Sequence, residues 1–148
     1  MGMDGQENSG NNVATIFFSR TYDEALALVH EARSYIAGPG QELVKDISLE
    51  AGFDYAAETL RLTTRLTETM SWLMYQRALQ AGEITEEEAQ ADDCHLQHFD
   101  VCLPETDEEA ESDLPEGLVS LLTRSENLYR RVARLDQQGI DAYQKYHG

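Results

Sequence analysis

Positive charge is what this sequence has least of: 11 lysines and arginines stand against 28 aspartates and glutamates, for a formal net charge of −17 over 148 residues. That balance excludes a nucleic-acid binder, which needs a basic footprint over phosphates. It argues equally against docking on anionic membrane surfaces. Cysteine is scarce too, and Cys94 and Cys102 alone do not make a disulfide framework. No apolar run approaches the ~20 residues of a membrane span. The opening MGMDGQENSGNN lacks the basic start and apolar middle of a signal peptide. A cytoplasmic setting with reduced thiols is the expectation. Nucleotide-binding loops, nucleophile elbows and HExxH motifs are also missing. Acids are plentiful, but two carboxylates do acid–base work only when their environments drive their pKa values apart. No catalytic residue and no cofactor is therefore expected.

What is present is helical periodicity, and its length suits one domain that buries roughly 70% of its unfolded surface. Residues 1–14 are polar and expected to be disordered. Thr21 with Glu24 forms a capping-box pattern ahead of a first helix over 22–37, and Gly38-Pro39-Gly40 stops it. The connector 41–53 is apolar enough to pack. A central helix follows over 54–81, closed at Gly82. Thr85 with Glu88 is a second capping box. Residues 83–113 hold 13 of the 28 acids and no Lys or Arg, and Pro104 with Glu105–Asp113 reads as a mobile, self-repelling loop. The last helix, over 114–137, has Asp113 as N-cap candidate. Leu114, Leu118, Leu121, Ser125, Leu128, Val132 and Leu135 step along it by four and three. Gly139 is expected to end it and the tail 139–148 to fray. Together these give an all-α antiparallel three-helix bundle over 15–138.

The 25-residue stretch Tyr55–Leu79 is the spine. At 100° per residue, Ala56, Thr59, Leu60, Leu62, Leu66, Met70, Leu73 and Met74 fall on one broad apolar arc. Glu58, Arg61, Arg65, Glu68 and Gln76 fall opposite, with Trp72, the single tryptophan, among them. A salt-bridged solvated face explains the charges. It does not explain Trp72, whose large apolar area either a neighbouring helix or a second chain must cover. Arginine and tryptophan together favour a protein-binding surface.

The remaining chemical cluster is Cys94, His95, His98 and Cys102. On a helix, Cys94, His98 and Cys102 share one face, and thiolate with imidazole is a zinc donor set. Paired C-x-x-C spacing is absent, however, and Pro104 follows closely. No metal is therefore expected, and a small zinc-responsive protein is the alternative reading.

The core E-x-x-R-L-T-T-R-L of residues 58–66, followed by Ser71-Trp72-Leu73, resembles the signature helix of the alphaproteobacterial family of the regulator of CtrA degradation, RcdA. Tyr35 with Gly38-Pro39-Gly40 resembles the close of that family's first helix. Leu114-Pro115, Leu118, Leu122, Ser125, Leu128-Tyr129, Arg131-Val132 and Arg134-Leu135-Asp136 resemble its last. The resemblance implies a dimeric three-helix-bundle adaptor without catalytic activity. Such an adaptor helps deliver the cell-cycle regulator CtrA to the ClpXP protease, with other adaptor or response-regulator proteins, at the cell pole. By that resemblance Arg61, Arg65 and Trp72, with Tyr129, Arg131 and Arg134, are the expected partner or dimer contacts, and Glu68 joins them as part of the same face of the central helix. Residues 83–113 have no counterpart in the family pattern. Some members also carry a longer C-terminal tail, and if delivery needs its contacts this homologue is expected to deliver differently or only to scaffold.

Overall fold

The computed structural model describes residues 4–103 and 114–147, with side chains from Ile16 onward. The expected loop at Glu105–Asp113 and the Asp113 cap lie outside the described residues. Every described element is helical: α1 (Asp4–Ala37), α2 (Pro39–Val44), α3 (Leu49–Gln80), α4 (Phe99–Cys102) and α5 (Glu116–His147), with 3-10 turns at Glu88–Gln90 and Asp92–Cys94.

Each long helix runs further than its sequence signals suggest. The backbone of α1 is helical from Asp4, through residues expected to be disordered, so Thr21 is not a cap. Its hydroxyl donates back to the Phe17 carbonyl at 2.9 Å, the bond a mid-helix threonine makes with the preceding turn. Pro39 ends α1 but opens α2, where a missing N–H costs nothing. Ser48 caps α3, its Oγ accepting from the Ala51 amide at 3.2 Å. At the other end Gly82 (φ 74°) supplies the left-handed residue, with Glu83 N–H bonded to Ala78 and Gly82 N–H to Leu79. Gly139 does not stop α5, which carries on to His147. An interior glycine costs about 1 kcal/mol, and the half-buried Ile140 and Tyr143 beyond it still pack.

The three long helices pack mutually, but not as an all-antiparallel set. Arg124 pairs with Glu31 and Arg131 with Glu24, so α1 and α5 run in opposite directions. Arg77 lies over Tyr22, while Tyr55 sits by Gly40 just past the end of α1, so α1 and α3 are also opposed. Arg65, however, reaches Leu122 and Ser125, while Gln76 and Leu79 share a cavity with Gly139 and Tyr143. α3 and α5 are parallel, contrary to the antiparallel expectation. A parallel pair needs a long return path, and the second connector supplies it. Its Gln90 lies by Gln76, its Gln97 by Glu68 and its Cys102 by Arg65, so the segment climbs back along α3.

The core gathers Ala25, Leu28 and Ala32 of α1, Leu62, Leu66 and Leu73 of α3, and Leu118, Leu121, Leu128 and Val132 of α5. Leu96 and Cys102 join it from the connector. At one end the Tyr35 ring presses on the Gly117 backbone and the Tyr55 hydroxyl on Gly40, contacts that a Cβ at either glycine would block.

Candidate protein-interaction surface

Four of the seven residues expected to meet a partner instead hold the chain's own returning connector. Arg65 is 3% exposed. Its Nε donates to the Cys102 carbonyl at 2.7 Å and its Nη1 to the Leu122 carbonyl at 3.1 Å, with Ser125 Oγ at 3.5 Å and Glu126 at 3.7 Å. Burial pulls the guanidinium below its ordinary range, and the neighbouring Glu126 carboxylate opposes the shift. One turn earlier, Arg61 Nε donates to the Val101 carbonyl at 3.1 Å while its Nη1 pairs with Glu58. One turn later, Glu68 accepts the Gln97 amide at 3.0 Å. Tyr129 is fully buried; its hydroxyl donates to the Gln97 carbonyl at 3.1 Å, and Phe99 meets its ring edge-on at 5.8 Å. Burial raises the Tyr129 hydroxyl well above its ordinary value.

Trp72 is likewise not a surface residue. It is 3% exposed and meets Phe18 edge-on at 5.8 Å. Of the two covers the sequence leaves open, the neighbouring helix is the one found, because α1 extends upstream far enough to bring Phe18 over the indole. Arg131 forms a bidentate pair with Glu24 on the surface, at 2.7 and 3.2 Å. Of the seven, Arg134 alone is exposed.

The Cys94/His98/Cys102 set does not assemble. Cys94 ends a 3-10 turn, His95 is extended and His98 takes a left-handed φ of 59°, so the segment is not one helix and its i, i+4, i+8 face never forms. Among the described residues no three His, Cys, Asp or Glu side chains are placed to hold a metal ion. Burial raises both thiols, and Cys94 Sγ is occupied with the Glu88 carbonyl at 3.5 Å. The Thr85/Glu88 box does form, with reciprocal bonds of 3.3 and 3.1 Å.

Two features escape the sequence reading. Asp136 ties the connector to α5: its Oδ2 accepts the Leu96 amide at 3.0 Å, and its Oδ1 lies 2.8 Å from His95 Nδ1. The second is an apolar face on α3. Leu49, Phe53, Leu60 and Met74 are 79, 68, 63 and 59% exposed. With exposed Ala56, Thr63 and Thr67 and half-buried Met70, they step by four and three from Leu49 to Met74. That is a heptad seam. It lies roughly opposite the buried row Tyr55, Leu62, Arg65, Leu66, Thr69, Trp72 and Leu73. The broad arc from Ala56 to Met74 takes in part of each stripe. Starting the periodicity at Leu49 separates them.

Residues 10–147 match the family described as protein of unknown function (DUF1465). Among solved structures, the crystal structure of RcdA from Caulobacter crescentus CB15 is 40% identical, covers 82% of this chain and 89% of that one, and gives a TM-score of 0.66. The chain belongs to the RcdA family. None of the curated proteins matches it. The residues that carry the RcdA likeness are mostly interior ones: Tyr35, Arg65, Trp72, Ser125, Tyr129 and Asp136 all pack or bond within the chain. In this member of the RcdA family, the signature records how the connector is held against α3 and α5.

Proposed function

We propose that this protein is a non-enzymatic adaptor of regulated proteolysis. It works as a homodimer that helps deliver a cell-cycle regulator to the ClpXP protease. Membership of the RcdA family supports the role, and with it a cytoplasmic setting concentrated at the cell pole. No described helix is long and apolar enough to cross a membrane.

The observation that carries the reading is the seam on α3. Four large apolar side chains at heptad spacing form a stripe that single soluble chains rarely leave bare. A helix presenting such a seam buries it against another helix, and a second copy supplies a matching one. Dimerisation through α3 leaves Arg134 on α5 free for a partner protein. Tethering then works by raising effective concentration, so modest contacts suffice.

The test is a reconstituted ClpXP degradation assay with a response-regulator substrate, run beside light scattering. Wild type is expected to be dimeric and to accelerate degradation. The Phe53→Glu/Leu60→Glu double variant is expected to be monomeric, inactive in delivery and unchanged in helix content, since both side chains are exposed. A wild-type monomer with no effect on degradation overturns the reading.

A further inference from the structure

A cavity of about 490 Å³ opens between the C-terminal halves of α3 and α5 and the first 3-10 turn of the connector. It lies away from the α3 seam. Leu79, Ala89 and Ile140 give it apolar walls, and Gln76 and Gln90 line it as well. Tyr143 stacks on His147 at 4.2 Å along its rim, and Glu86 faces His147 at 3.8 Å.

Gly139 is the informative position. Glycine inside a helix is unfavourable, and here nothing in the chain demands it: a Cβ at Gly139 meets no atom within 4 Å. The missing side chain leaves the cavity floor open. The permanent charges lining the site are negative, beside the two imidazoles of His95 and His147. Its wall includes Glu86 and Asp136 and no lysine or arginine. Asp136 is already engaged by Leu96 and His95; Glu86 has an exposed side chain whose neighbour is the equally open His147 ring at 3.8 Å, a contact that an incoming cation would replace.

We propose that this groove binds a lysine- or arginine-bearing segment of a partner protein. Its apolar side lies along Leu79 and Ile140, and its cation sits against Glu86 and the aromatic rim of Tyr143. A carboxylate beside an aromatic face is the pairing that holds an ammonium or guanidinium group, and a short amphipathic segment fills a groove of this kind.

The probes are two synthetic amphipathic peptides of identical apolar pattern, one bearing lysines and the other glutamates at the polar positions. Fluorescence anisotropy reads their binding to the full chain. The lysine peptide is expected to bind wild type, and the glutamate peptide is not. Glu86→Lys should weaken the lysine peptide at least about tenfold and favour the glutamate peptide instead. Gly139→Leu fills the floor while improving helix propensity, so it should raise Tm and yet abolish binding. Equal binding of both peptides, no binding of either, or indifference to Glu86→Lys overturns the proposal. So does a Gly139→Leu protein that binds normally, or one whose only change is in self-association, which would make the groove's occupant a second copy.

Discussion

The Nε of Arg65 donates to the carbonyl of Cys102 at 2.7 Å, joining the middle of α3 to the end of the connector across 37 residues. A buried guanidinium is tolerated only where acceptors surround it, and Leu122, Ser125 and Glu126 complete the set. Removing it strands two carbonyls, each costing about 1–3 kcal/mol when left unsatisfied and dry. Arg65→Ala is therefore expected to lower unfolding stability by about 3 kcal/mol, read as a drop in the urea midpoint. Arg65→Lys should recover only part of this, because an ammonium cannot reproduce the fork that serves α5 and the connector together.

Trp72 yields a second prediction. Truncation to alanine empties a packed site beside Phe18 and should cost about 3–5 kcal/mol. Its indole Nε1 has no partner among the described residues. Trp72→Phe therefore sacrifices no hydrogen bond and should cost under about 1.5 kcal/mol. Any binding defect of Trp72→Ala should track lost stability, seen by thermal melting, and be absent in Trp72→Phe.

Acid should loosen α1 from α5. Hydrogen bonding to Arg124 holds the Glu31 carboxyl below its ordinary 4.5. A carboxylate depressed in the folded state stabilises fully above its unfolded value and loses that contribution as pH falls through the folded one. Arg124→Ala should therefore be less stable than wild type at neutral pH, and the gap should narrow as pH falls below 4.5 and vanish once Glu31 is protonated in the folded chain. Both side chains are about half exposed, so the gap stays within about 1 kcal/mol. Urea unfolding across pH checks it.

The thiols should be inert in the folded chain. Cys94 and Cys102 are buried, and burial raises both above the ordinary 9.0. An aromatic disulfide reagent is expected to titrate neither thiol until denaturant is added. Zinc should leave the melting temperature unchanged, since no ligand set converges among the described residues.

The heptad register of α5 was legible because one face of that helix is apolar and the other is not. Leu118, Leu121, Ser125, Leu128 and Val132 step by four and three and are all buried. α3 was harder, because a helix covered on one side and bare but apolar on the other has two stripes, and a single arc averages them. Arg65 and Tyr129 misled for a related reason: polar groups buried by their own connector have the composition of a docking surface. Only the contacts tell the two apart. The Cys/His spacing failed because His98 adopts a left-handed φ, a backbone event with no periodic trace. Gly139 misled in turn, since a glycine that ends a helix and one that opens a cavity are the same letter.

The parallel pairing of α3 with α5 orders the assembly in time. α1 and α3 can meet as soon as both have left the ribosome. The connector must wait, because Leu96 is held by Asp136, 40 residues ahead, and the anchor at Arg65 needs Leu122, 57 residues ahead. Contacts of such separation form late and together. Until α5 arrives, the segment containing Cys94 and Cys102 has only α3 to lie against, and its thiols are left half-covered. α5, made after α1 and α3, thus closes the cover over the middle of the chain.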